Sequence, residues 1–382
     1  MATKLPSKLP SANTGDSIST DSGAKATGAN RLANRIVDTD VHNTFHTKAD
    51  LLPFLPKVWH NQWLGIELIG NPYYSPLGDV NRKDSITDTG RTGGSDPHYM
   101  IKHHLEPYGI EYAILTGHTA INCSLHPDPD FGNVVASAYN DHLIEQWLKV
   151  DPRYKGSMVI NFSDPDAAVK EIERVGGYPD IVQIMMCSGA RIPFGQRHYH
   201  KIYEAAEHYG LPVAMHPGSE GKGVAYPPTP AGYPTRYFEW HNILPVNFMG
   251  HVNSLVCEGV FVKFPKLKFV AVEGGIAWLP HLMWRMDKNY KALRDSVPWL
   301  TRLPSEYIKE HIRLTTQPIE EPANPEELVQ IFNMIDASHT VMYASDYPHW
   351  DFDSPEAALP KMPREMKRRI LADNALELYG LE

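Results

Sequence analysis

Asp38, Asp40 and His42 fall at every second position where the apolar run opening Ile36-Val37 gives out. In a strand alternate side chains share a face, so two carboxylates and an imidazole would project together at the strand's C-terminal end. Such a set can ligate a divalent cation, although a strand running out into a polar loop would read the same way. Three further apolar runs end alike: Val213-Ala214-Met215-His216, Val270-Ala271-Val272-Glu273 before Gly274-Gly275, and Met342-Tyr343-Ala344-Ser345-Asp346 before Tyr347-Pro348-His349. Packing does not readily explain a polar cap on each. Four of these residues, two imidazoles and two carboxylates, suit one divalent ion, zinc first and manganese second, with the carboxylates balancing its charge. A site open on one side activates a bound water and polarises a substrate oxygen, which is the chemistry of hydrolysis.

The elements that would position these caps alternate. Strand-like runs occur at 35–40, 112–116, 156–161, 181–186, 212–216, 269–273, 312–315 and 341–346. Helical patterns lie at 98–108, 132–149, 165–175, 197–209, 239–264, 277–295, 326–336 and 360–379. Ser163-Asp164-Pro165 and Asn324-Pro325-Glu326-Glu327 are start signals, a capping side chain before proline and acids. Eight strand–helix units predict an α/β fold, a (β/α)8 TIM barrel over residues 31–382, in preference to a doubly wound open sheet. Long insertions follow strands 1 and 5, at 43–97 and 217–238, and both would lie over the face where the strand ends converge. Residues 1–30 are small and polar, which predicts a disordered tail; a transit peptide is the weaker reading because of Asp16 and Asp21.

Composition narrows the partner. A net charge of −9 over 382 residues, with no basic tract or basic helix face, argues against nucleic acid and anionic membranes. No apolar run approaches the ~20 residues of a membrane span. Three scattered cysteines make neither a disulfide framework nor a zinc knuckle, so a reduced, cytoplasmic setting and a small-molecule substrate are expected. Arg191, in the loop after strand four, could clamp a substrate carboxylate, and His349 could contact substrate; both types are equally at home on a surface. Asp346 could simply cap a helix. His103-His104 and His198-x-His200 do not share a helix face and read as surface or packing residues, whereas His118 could line the pocket. Gly221-Lys222-Gly223 lacks the offsets of a phosphate loop.

Taken together, Asp38-x-Asp40-x-His42, the His216-Pro217 pair, the x-Gly274-Gly275 run and Ser345-Asp346-Tyr347-Pro348-His349 resemble the amidohydrolase-related family typified by aminocarboxymuconate-semialdehyde decarboxylase. The resemblance covers residues 35–380 and implies a (β/α)8 barrel with one divalent metal, acting on small, often ring-derived carboxylates by decarboxylation, hydrolysis or hydration. It implies metal ligands at Asp40, His42, His216 and Asp346, with Asp346 also handling a proton, and a substrate-carboxylate arginine near Arg285, across a homodimer interface. The departure is Glu273, where relatives have histidine; it would serve as a general acid/base or a further ligand. The expectation is a metal-dependent hydrolase, with a non-oxidative decarboxylase as alternative and a degenerate, non-catalytic barrel as a third reading.

Overall fold

The structure is a computed structural model that describes residues 35–65, 73, 80–117 and 120–382. The expected tail over 1–30, and His118, lie outside the described residues. Eight parallel strands follow one another in chain order around the sheet: β1 Val37–Val41, β2 Tyr112–Leu115, β3 Tyr154–Val159, β4 Ile181–Cys187, β5 Val213–His216, β6 Phe269–Ala271, β7 Ile312–Thr315 and β8 Val341–Met342. The ring closes where the Thr39 amide donates to the Tyr343 carbonyl at 3.0 Å and the His42 amide to the Tyr347 carbonyl at 2.7 Å. This is a (β/α)8 barrel. Strands rich in Val, Ile, Met and Ala fit because the barrel's own core covers one face and the helices the other, leaving β1, β4 and β5 wholly buried.

Helices begin where expected. Asp164 accepts the Ala167 amide at 3.2 Å ahead of Pro165–Val175, and Asn324 accepts the Glu326 amide at 3.2 Å ahead of Pro325–Ile335. The single helix expected at 239–264 is three, Tyr237–His241, Pro245–Cys257 and Val260–Lys263. Pro245 has no amide to continue the first, and Gly259 at φ 70° ends the second. Helix Pro304–His311 carries no long periodic pattern and was not expected. The 43–97 insertion holds short helical turns, among them Lys48–Phe54 and His60–Gly65.

The corrections that matter for function lie at two strand ends. The runs at 269–273 and 341–346 read as strand throughout, but the ladders stop at Ala271 and Met342. Glu273 and Asp346 stand just beyond, in the left-handed region at φ 57° and 58°. That turn aims both side chains away from the strand direction and is costly for a glutamate, by about 1–2 kcal/mol. The Glu273 amide is held there by Thr315 Oγ1 at 3.0 Å, and the Asp346 amide by the Asp40 carbonyl at 3.1 Å. Among the described residues, no helix is long and apolar enough to cross a membrane.

Candidate metal centre

At the C-terminal end of the barrel, β1 supplies Asp40 and, just past its end, His42; β5 supplies His216, and the turn after β6 supplies Glu273. One ligand-type atom from each of these four buried residues lies within 4.8 Å of every other. His42 also meets Asp346 and His349 in a second such group. The expected ligands Asp40, His42 and His216 are therefore brought together with Glu273, and Asp346 joins them through His42.

The backbone sets which ring nitrogen faces inward. His42 Nδ1–H donates to the Gly117 carbonyl at 2.5 Å and His216 Nδ1–H to the Pro217 carbonyl at 2.9 Å. A carbonyl only accepts, so each ring keeps its proton on Nδ1 and presents a lone pair on Nε2. Those lone pairs face carboxylate oxygens: His42 Nε2 is 2.9 Å from Asp346 Oδ1, and His216 Nε2 is 3.0 Å from Glu273 Oε2. Asp40 stands 3.6 Å from each imidazole through its two oxygens. Lone pairs facing carboxylate oxygens at these separations call for a cation or a shared proton between them.

The spacing fits a cation. Ligand arms of about 2.1 Å give edges of roughly 3.0 Å at a right angle and 3.4 Å in a tetrahedron. Asp40 Oδ2 and Asp346 Oδ2 are buried without a hydrogen bond, as atoms awaiting a cation would be. Asp40 Oδ1 accepts from Thr116 Oγ1 at 2.7 Å, the kind of outer contact that orients a ligating carboxylate.

Electrostatics without the ion reflect the same crowding. Burial opposes charge on Asp40, but His42 and His216 outweigh it and hold the carboxyl below its usual range. Burial pushes the His42 imidazole down. His216 is pushed well up despite burial, by Glu273 and Asp40. Asp346 stands out among the carboxyls: burial first, then Glu273, Asp351 and Asp40, raise it well above the carboxylate range. His349 Nδ1 lies 2.7 Å from Asp346, and its ring packs against that of His42 at 4.1 Å.

His42, His216, Glu273, Asp346 and His349 line a cavity of about 310 Å³, near the lower limit of ligand pockets at ~300 Å³ and sized for a single-ring ligand. Its walls come largely from the insertions: Tyr73 from the first, Tyr237 from the second with Trp240 just beyond it, and Trp350 after β8. Tyr73 stacks on Trp240 at 5.0 Å, and Trp350 Nε1–H donates to the Tyr237 hydroxyl at 3.1 Å. Sequence reasoning did not single out Tyr73, Trp350 or Asp351, which carry no local signal.

Three expected residues sit elsewhere. Asp38 does not reach the centre: its carboxylate accepts from the Ser345 amide at 2.9 Å and the Ser345 hydroxyl at 2.6 Å, and meets His104 Nε2 at 2.7 Å. Between Asp38 and Val41 the strand takes three steps against two on β2, which breaks the alternation that placed Asp38 beside Asp40. His104 is accordingly buried, with its ring stacked on Tyr347 at 4.4 Å. Arg191 and Arg285 are exposed, and neither lines the cavity.

Residues 99–381 match the Amidohydrolase family. The chain belongs to that family. This amidohydrolase is 24% identical over 264 residues to a gamma-resorcylate decarboxylase from Polaromonas sp., across 65% of its own length and 76% of the relative's. A gamma-resorcylate decarboxylase from Rhizobium sp. is 22% identical over 265 residues, with the same coverage of both chains. Among solved structures, a dihydroxybenzoic acid decarboxylase from Polaromonas sp., with bound manganese and 2-nitroresorcinol, superposes with a TM-score of 0.64 at 20% identity, over 91% of this chain and 97% of that one. A 5-carboxyvanillate decarboxylase from Novosphingobium aromaticivorans, also with bound manganese, superposes with a TM-score of 0.68 at 18% identity, over 93% and 99% of the two chains. The primary expectation of hydrolysis is overturned here, because these relatives are decarboxylases. The inference from a metal-activated water had rested on the ligand set alone, and the same ligands serve both reactions.

Proposed function

We propose that this amidohydrolase is a non-oxidative decarboxylase of a small hydroxylated aromatic carboxylic acid, with one divalent cation, manganese in place of the zinc expected first. The observation that carries the reading is the placement of Asp346, beside the Asp40, His42, His216 and Glu273 cluster and within reach of His349, at the floor of a ring-sized, aromatic-walled cavity. Decarboxylation calls for an acid beside the ring carbon, and burial with Glu273, Asp351 and Asp40 raises the Asp346 carboxyl in that direction.

Asp40, His42, His216 and Glu273 would hold the cation, and Asp346 borders it. When bound, the cation neutralises and orients the anionic oxygens of the substrate. Tyr73, Tyr237, Trp240 and Trp350 would sandwich the ring and exclude water. Asp346 then gives its proton to the ring carbon that bears the carboxylate. The C–C bond breaks, its electron pair restores the aromatic ring, and carbon dioxide leaves. His349, with Nδ1 2.7 Å from Asp346 Oδ1, would hold the carboxyl in line. The named relatives, decarboxylases of ring carboxylates described with manganese, support the assignment.

The test is carbon dioxide release from manganese-loaded protein offered 2,6-dihydroxybenzoate, 5-carboxyvanillate and related hydroxybenzoates, beside a panel of esters, amides and lactones. Carbon dioxide from at least one ring carboxylate, with deuterium from heavy water appearing on the ring, is the expected result. Turnover confined to the hydrolytic panel would overturn it.

A further inference from the structure

Cations are scarce in this cavity. Its wall carries Asp346, Asp351 and Glu273, and Lys222 is the one lysine or arginine among the described residues that line it. That lysine belongs to the Gly221-Lys222-Gly223 turn of the insertion after β5, a run whose glycine and hydroxyl offsets fit no nucleotide site.

Its backbone is fixed on every side. The Lys222 amide donates to the Ser219 carbonyl at 3.2 Å, and its own carbonyl accepts the Ala225 amide at 2.9 Å. The flanking residues tie to neighbouring barrel loops, Val224 to the Leu125 carbonyl at 3.1 Å and Tyr226 to the Ala190 carbonyl at 3.0 Å. The side chain has no such anchor: among the described residues its ammonium has no hydrogen bond and no salt bridge. The adjacent acid is already engaged. Glu220 is buried, and its carboxylate accepts from the Gly218 and Ser219 amides at 3.1 Å each and from the Ser188 hydroxyl. Asp351, across the cavity wall, is 3.3 Å from His241. Burial presses the Lys222 amine below the usual lysine range, and the nearby Glu220 charge offsets this only in part.

A cavity keeps few polar groups, and each of them orients the ligand. An ammonium with no protein partner, held on a braced turn in a pocket rich in acids, is matched by an anion that arrives with the ligand. We infer that Lys222 forms an anion subsite of this cavity and receives the second carboxylate of an aromatic dicarboxylate whose first carboxylate lies at the metal cluster. The inference rests on the decarboxylase reading for what happens at the first carboxylate, but not for binding. It narrows the substrate class from hydroxybenzoates in general to ring dicarboxylates.

Trp240 and Trp350 line the same cavity, so their fluorescence reports binding without turnover. Manganese-loaded wild type, Lys222→Met and Lys222→Arg are titrated with 5-carboxyvanillate, a dicarboxylate, and with 2,6-dihydroxybenzoate, a monocarboxylate. In wild type the dicarboxylate should bind at least about tenfold more tightly, the worth of one charge-assisted contact. Lys222→Met should lower that preference by about 10- to 100-fold, and Lys222→Arg should restore most of it. Equal affinities in wild type would overturn the subsite without any variant, and so would a preference that survives in a folded Lys222→Met. Dicarboxylate binding through Lys222 with no carbon dioxide released from any ring acid would instead overturn the decarboxylase reading and leave the subsite standing.

Discussion

His216 is the side chain through which the centre is most directly tested. Its Nδ1–H is fixed on the Pro217 carbonyl at 2.9 Å, and its Nε2 lies between Asp40 and Glu273. His216→Ala should weaken metal affinity by at least about 10²-fold, more than loss of an outer contact, and leave well under one equivalent of metal after gel filtration by plasma emission. Asp346→Asn poses a different question, since asparagine keeps the shape and loses the proton. Its turnover should fall by about 10²- to 10⁴-fold, the usual weight of a positioned acid, while the barrel folds as before. An Asp346→Asn enzyme with full kcat would remove the carboxyl from the mechanism. At this scale the sequence was informative wherever a lone polar residue closed an apolar run, as at His216 and Asp346. It was silent where the chemistry comes from loops, as at Tyr73, Lys222 and Trp350, because a loop residue's direction depends on contacts distant in the chain. Arg191 was singled out by its residue type in a strand-end loop and Arg285 by the family resemblance, and neither determines which surface a side chain faces.

The elements around the centre show how one strand's irregularity serves another's function. Eight alternating units were readable because parallel strands covered on both faces are nearly continuous apolar runs. The extra residue on β1 was not readable, since a bulge has no sequence mark at Thr39 or Asp40. Its effect is to turn Asp38 toward Ser345, so that a carboxylate of β1 clamps the segment carrying Asp346. Asp38→Ala would leave the Ser345 amide and hydroxyl and the His104 ring without their buried acceptor. Two to three such bonds to a carboxylate predict a loss on the order of 3–5 kcal/mol in urea unfolding. Activity should fall as well, even at temperatures where the variant remains folded, because Asp346 follows Ser345 directly. A variant as stable and as active as wild type would show that the clamp is incidental.

Acid should weaken the barrel through histidines outside the cluster. His142 and His251 are buried, and burial holds both imidazoles down to about 4. Their ordinary value is 6.5, so between about pH 6.5 and 4 the unfolded chain binds protons that the folded chain refuses. Stability therefore rises with pH through that window and is lost on acidification, by on the order of 3 kcal/mol for each histidine below pH 4. Asp353 works in the opposite sense: burial, with Asp351 and Glu321, raises it to about 6, so the folded state takes its proton first and gains stability as pH falls from about 6 toward 4. Two losses against one gain leave a net acid destabilisation. His142 is the cleaner of the two histidines to remove, because its ring sits edge-on to Phe45 at 4.8 Å and its Nδ1 is buried with no hydrogen bond. In His142→Leu that orphaned nitrogen disappears, so stability at pH 8 should change little or rise. The fall in Tm between pH 6.5 and 4, measured on metal-free protein in both cases so that the cluster's own titration cancels, should be shallower than in wild type. Parallel acid limbs in the two proteins would mean that His142 takes up its proton in the folded barrel as readily as in the unfolded chain, and that the pocket between Phe45 and Phe54 opens to water before the barrel unfolds.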